Sequence, residues 1–199
     1  MIDEVTVTDN PPREVRTMRD TARGPGYGAV SRRRFDAPIE DVWQLFVQPD
    51  RLGLWYPESV TGDFRLGGEF SIENNASGRI LRCEPPRLFW VSWIYEGHYS
   101  ELEVRLDSVA GGATLVGFEH LMRVEDLADA GMDLGEGLVA AGAGWDLTLE
   151  YLGRYLRREL QGSPAAQDDR ELAAEDEKRY RESEKLWQAV VKETLDERQ

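Results

Sequence analysis

An α+β fold, with one long helix laid over an antiparallel sheet, is predicted by two observations. In the C-terminal third, Trp145, Leu149, Leu152 and Leu156 recur at the 3.6-residue period of a helix with one apolar stripe. Upstream, from about Glu69 to His120, the apolar period is 2 and short turns join the segments, which suits antiparallel neighbours rather than parallel ones. Such a layering can enclose a cavity, so a ligand-binding module is a leading class, although nothing in the residues names the ligand.

Taken in order, residues 1–26 read as a polar N-terminal arm. They carry Pro11-Pro12 and Gly24-Pro25-Gly26 and show no sustained period. Arg13, Arg16, Arg19 and Arg23 could meet an acidic partner or the protein's own acidic surface, with a solvated, disordered arm as the favoured reading. Tyr27 to Phe35 suits a strand. Ala37-Pro38-Ile39-Glu40-Asp41 then turns into a helix, with acids beside its positive dipole end and Val42, Leu45 and Phe46 on one face. Pro49 to Trp55 reads as a second short helix, stopped by Pro57.

The period-2 region follows. Glu69 to Glu73 alternates, Gly78 to Cys83 is extended, and Phe89, Val91, Trp93 and Tyr95 share a face beyond Pro85-Pro86. Leu102, Val104 and Leu106 alternate with charged residues, which places Glu101 on the outer, solvated face, and the turn at Gly111-Gly112 leads to Thr114 to His120, where Glu119 also faces outward. Gly131 to Gly144 is rich in Gly and Ala, so it reads as a loop, with the long helix running from about Gly137 or Ala143 to Leu160 and stopped by Gly162-Ser163-Pro164. Residues 162–199 are highly charged. Tyr180, Leu186, Trp187, Val190, Val191 and Leu195 still fall at roughly helical spacing, so this extension reads as a helix whose narrow apolar seam needs a partner, either its own domain or a second chain.

Composition bounds the function. The 199 residues with 41% hydrophobic content and six Trp suit one globular core plus extensions. A formal net charge of -14 repels phosphate backbones and disfavours a nucleic-acid binder. No run approaches the roughly 18 apolar residues of a membrane span. The acidic N-terminus lacks an apolar signal region, and the single Cys83 forms no internal disulfide, so a cytoplasmic protein is expected.

The order of these elements resembles the START-like (SRPBCC, helix-grip) superfamily, in its branch labelled activator of heat-shock-protein-90 ATPase homologue-like. The residues that carry the resemblance are Arg34-Phe35-Asp36-Ala37-Pro38-Ile39-Glu40-Asp41-Val42-Trp43, Leu54-Trp55-Tyr56-Pro57, Gly78-Arg79-Ile80, Glu84-Pro85-Pro86-Arg87-Leu88-Phe89, Trp93, Gly112 to His120, and Gly144-Trp145 with Leu149 and Leu152. They lie within residues 27–161. The resemblance implies a curved antiparallel sheet wrapped around the long helix, with a pocket between them. Its inward positions would include Trp55, Phe70, Ile72, Phe89, Trp93, Val116, Phe118, His120, Trp145, Leu149 and Leu152. Superfamily members bind lipids, sterols, polyketides or aromatic hormones, and some cyclise or dehydrate polyketides.

For chemistry, His120 is the candidate general acid or base, since it shares a strand face with Val116 and Phe118; the competing reading is a hydrogen-bonded histidine at a strand end. His98 lies at a hairpin turn. The histidine spacing suggests no metal site, and neither a nucleophile elbow nor a phosphate loop occurs, so no metal and no organic cofactor is expected. Trp55, Trp90, Trp93, Trp145, Tyr56, Tyr95 and Phe118 supply an aromatic surplus suited to a flat apolar ligand. The leading expectation is therefore a domain that binds a small hydrophobic or aromatic molecule. The alternatives are a protein-interaction module like the co-chaperone domain, docked through its charged tail, and a cyclase or dehydratase using His120 with a nearby carboxylate.

Overall fold

Two long strands open the described chain: β1 (Glu14–Thr21) and β2 (Gly24–Phe35), paired as an antiparallel hairpin. The computed structural model describes residues 13–161 and 169–197, so the start of the expected arm and the Gly162-Ser163-Pro164 helix stop lie outside the described residues. The described part of that arm is not solvated coil. Its edge strand is held because every one of its arginines finds a carboxylate of the protein itself: Arg13 meets Asp146, Arg16 and Arg19 meet Glu119, and Arg23 meets Asp126.

Two short helices follow, α1 (Ile39–Val47) and α2 (Pro49–Leu52). Pro38 stands just before α1, and Glu40 and Asp41 occupy its first turn beside the exposed amides. The remaining strands are β3 (Val60–Gly62), β4 (Glu69–Ile72), β5 (Ala76–Glu84), β6 (Leu88–Tyr95), β7 (His98–Val109) and β8 (Ala113–Met122). They run as a meander in which each neighbour is antiparallel, and β2 then pairs with β8, which gives the order β1-β2-β8-β7-β6-β5-β4-β3. The chain closes with α3 (Val124–Asp129), α4 (Leu134–Gln161) and α5 (Asp169–Asp196). The architecture is α+β, an antiparallel sheet gripping a long helix.

Helix α4 starts earlier than its composition suggests. Asp133 Oδ1 accepts from the Glu136 amide at 2.9 Å, while the Glu136 carboxylate accepts from the Asp133 amide at 3.4 Å, a reciprocal cap at the helix start. The small residues that made the segment look loose are there for close packing. A Cβ on Gly142 would lie 2.2 Å from the ring of Trp187, so only glycine lets α5 approach α4 at that point.

One core lies between the inner sheet face, α1 and α4; it includes Val42, Phe46, Val91, Leu102, Val116, Phe118, Leu149 and Leu152. A second, smaller core joins Ala29, Met122, Leu138 and Ala143 to Trp187 and Val191 of α5. The seam of the charged extension is thus covered by its own chain.

The outer sheet face also differs from expectation. Glu101, Glu103 and Glu119 are buried rather than solvated, because β1 and its turn fold across them. Glu101, 1% exposed, accepts from the Ala22 amide at 2.7 Å, Trp90 Nε1 at 2.8 Å and the Tyr99 hydroxyl at 2.7 Å. Arg16 and Arg19 bracket Glu119 at 2.9 and 2.7 Å. Buried carboxylates satisfied in this way are tolerated where isolated ones would not be. Trp90 therefore belongs to this outer network and not to the inner aromatic surface.

Candidate functional site

Between the inner sheet face and α4 lies a small apolar cavity of about 60 Å³. Its aromatic wall is nearly continuous. Phe46 meets Trp55 at 5.3 Å and Phe118 at 5.9 Å between ring centroids, and Phe118 stacks on Trp145 at 4.8 Å. Trp145 in turn meets Trp93 edge-on at 5.3 Å, and Trp93 leads on to Phe70 at 6.1 Å. Period-2 alternation along β4, β6 and β8 puts these rings on one face, and the helical stripe of α4 brings Trp145 down onto them. The Trp55 indole is oriented by donating to the Leu45 carbonyl at 3.0 Å.

Outside this cavity, an open groove of about 510 Å³ runs between the β6–β7 hairpin, α3, α4 and α5. Tyr56, Trp93, Trp145 and Thr148 line both spaces, so they form the partition between the inner chamber and the outer groove. The groove adds Tyr95, Tyr99, Tyr151 and Tyr180 as aromatic walls, and Glu58, Glu96 and Asp126 as carboxylates. Burial, with the Glu58 charge nearby, raises the Tyr56 phenol pKa. Burial, Asp176 and Glu58 push that of Tyr151 up to about 12. Both phenols therefore stay protonated near neutrality.

His120 faces the groove with both ring nitrogens engaged. Trp145 Nε1 donates to His120 Nδ1 at 2.9 Å, so Nδ1 carries no proton, and Nε2 donates to Ser100 Oγ at 2.9 Å. The Ser100 hydroxyl in turn donates to the Trp93 carbonyl at 3.2 Å. This relay fixes a neutral imidazole, and burial lowers its pKa from 6.5 to about 4. Among the described residues no carboxylate is hydrogen-bonded to His120. Its folded pKa lies below the unfolded value. The neutral ring thus adds stability that is full above about pH 6.5 and is lost as pH falls toward about 4. We predict that the His120 ring signals in NMR stay those of the neutral Nε2–H tautomer from pH 8 down to about 5. A midpoint near 6.5 would break the relay.

Of the positions expected inward, Trp55, Phe70, Ile72, Phe89 and Phe118 line the chamber, Trp93 and Trp145 line the partition, and His120 lines the groove. Val116, Leu149 and Leu152 are fully buried packing that lines neither space. Sequence reasoning missed Thr148, Tyr151 and Tyr180. Thr148 and Tyr151 follow Gly144 on α4 at helical spacing, a signal that was there to use, whereas Tyr180 reaches the groove only because α5 docks. Among the described residues no group of His, Cys, Asp and Glu is placed to hold a metal ion, and no helix is long and apolar enough to cross a membrane.

The helix-grip fold defines the class of protein, and comparison agrees on the fold. The profile described as Activator of Hsp90 ATPase homolog 1-like protein matches residues 36–157, and the chain belongs to this family. Two solved structures of CalU16 from Micromonospora echinospora are similar over nearly the whole chain. The crystal structure is 33% identical, covering 92% of this chain and 99% of that one with a TM-score of 0.70. The solution structure is 35% identical, covering 91% and 94% with a TM-score of 0.70. Protein MLL2253 from Mesorhizobium loti, at 20% identity, 66% and 97% coverage and a TM-score of 0.52, shares the fold. No curated protein matches the chain.

Proposed function

We propose that the protein binds a small hydrophobic or aromatic molecule in the groove between sheet and α4, with its apolar end toward the inner chamber. The observation that carries this reading is the groove itself: about 510 Å³ of open volume walled by aromatic side chains and adjoining the inner chamber across the Tyr56, Trp93, Trp145 and Thr148 partition. That volume falls within the range of small-molecule sites, whereas the chamber alone, about 60 Å³, holds at most a few waters. His120 serves as a positioning group for Trp145 in this reading. Gly144 offers a direct test. It lines the groove, and a Cβ placed there meets nothing within 4 Å, so Gly144→Phe should put a ring into the groove with no clash at its Cβ.

Native mass spectrometry of the purified full chain should find a bound small molecule that Gly144→Phe loses. Equal retention by the variant would sink the reading. So would an empty protein whose Trp fluorescence does not respond to naphthylmethanol, a neutral flat probe that should report at Trp93 and Trp145.

A further inference from the structure

The groove lining carries one sign of charge. Glu58, Glu96 and Asp126 stand in it, and among the described residues no lysine or arginine does. The walls around these carboxylates are aromatic. Ring faces are electron-rich and attract cations, most strongly when water is partly excluded. The rim already holds a cation by this chemistry: the Arg23 guanidinium lies 3.7 Å over the Tyr99 ring centroid and donates to Asp126 Oδ1 at 3.4 Å. Asp126 Oδ2 is buried and accepts no hydrogen bond, with Arg123 3.8 Å from it. An anionic ligand entering here would lose hydration and meet Glu58 and Glu96, while the nearby guanidiniums, Arg23 and Arg123, are already engaged with Asp126. The net charge of -14 adds a long-range field of the same sign.

From these walls and carboxylates we infer that the groove selects a flat aromatic molecule bearing a cationic amine over a neutral or anionic molecule of the same shape. This rests on the ligand-binding reading above and adds the charge of the ligand to it. Glu58 is positioned to supply the counter-charge: it lines the groove beside Tyr56 and Tyr151, whose phenols feel its field.

The test uses three probes of one ring system, naphthylmethylammonium, naphthylmethanol and naphthoate, titrated against Trp fluorescence of the full chain at low salt. The ammonium should bind about tenfold tighter than naphthoate, with the alcohol between. Glu58→Gln should narrow that gap to about threefold, and Glu96→Gln should narrow it in the same direction. Added salt should also narrow the gap. Equal affinities, or naphthoate binding best, would overturn the charge selectivity while leaving the ligand-binding reading intact. The alcohol failing to bind along with the other two would remove the ligand-binding reading itself. A preference that persists in Gly144→Phe would put the cation elsewhere and overturn the inference.

Discussion

Replacing Trp187 with alanine should destabilise the protein by about 3–5 kcal/mol and release much of α5, the largest effect expected from any single change in the extension. Trp187 is 0% exposed and lies in the second core between α5 and α4. Its indole donates to Asp146 Oδ2 at 3.1 Å, an oxygen that also accepts from Ser183 Oγ at 2.6 Å and Arg13 Nε at 2.7 Å. Asp146 thus ties α5, α4 and the segment before β1 together. Without Trp187, α5 becomes a highly charged helix with little apolar contact, and isolated helices of that kind are marginal in water. Gly142→Ala should act in the same direction. An alanine there would gain about 1 kcal/mol of helix propensity, yet its Cβ would collide with the Trp187 ring. Urea unfolding and circular dichroism measure both variants. A loss under about 1 kcal/mol with unchanged helix content would mean that α5 holds by its ion pairs and not by its seam.

Replacing Trp145 should cost a similar amount, about 3–5 kcal/mol for Trp145→Ala, and should also join the inner chamber to the groove. Trp145 is 7% exposed, stacks on Phe118, meets Trp93 edge-on and donates to His120. Trp145→Phe separates these roles. It keeps an aromatic ring against Phe118 but removes the indole N–H, leaving His120 Nδ1 without its donor at an expected cost of about 1–3 kcal/mol. The freed Nδ1 could then take up a proton, so the His120 midpoint should rise above about 4 in Trp145→Phe. Thermal unfolding gives the cost and NMR titration the midpoint. A Trp145→Phe variant with both unchanged would show that the indole hydrogen bond fixes neither the ring nor the imidazole.

Much of the middle of the chain was legible because it obeys simple periods. Trp145, Leu149 and Leu152 lie at helical spacing and are buried on one face of α4, and Phe89, Val91 and Trp93 alternate with outward residues along β6. Turns at Gly97 and Gly111, where φ is positive, fall where the glycines predicted them. The aromatic rings of the chamber could be named for the same reason. Their division into chamber, partition and plain packing could not, since Val116 and Trp93 both read as inward strand residues and differ only in what faces them.

The misreadings share one cause. Glu101 and Glu119 alternate with apolar neighbours as solvated residues would, and Arg16 and Arg19 look like a polar tail, so each half of the outer network appears exposed when read without the other. The Gly and Ala residues before Gly144 look too weak for a helix, although Asp133 and Glu136 stand at cap spacing. The amino-acid pattern by itself determined what local spacing can encode: the antiparallel strands, the apolar stripe of α4, the seam of α5 and the aromatic stock of the site. Tertiary structure alone decided which charges are buried together, where α5 lies, and which inward residues border empty space. Burial of a charge or closure of a groove depends on partners about a hundred residues away, such as Arg19 and Glu119, whose separation in sequence carries no period to read.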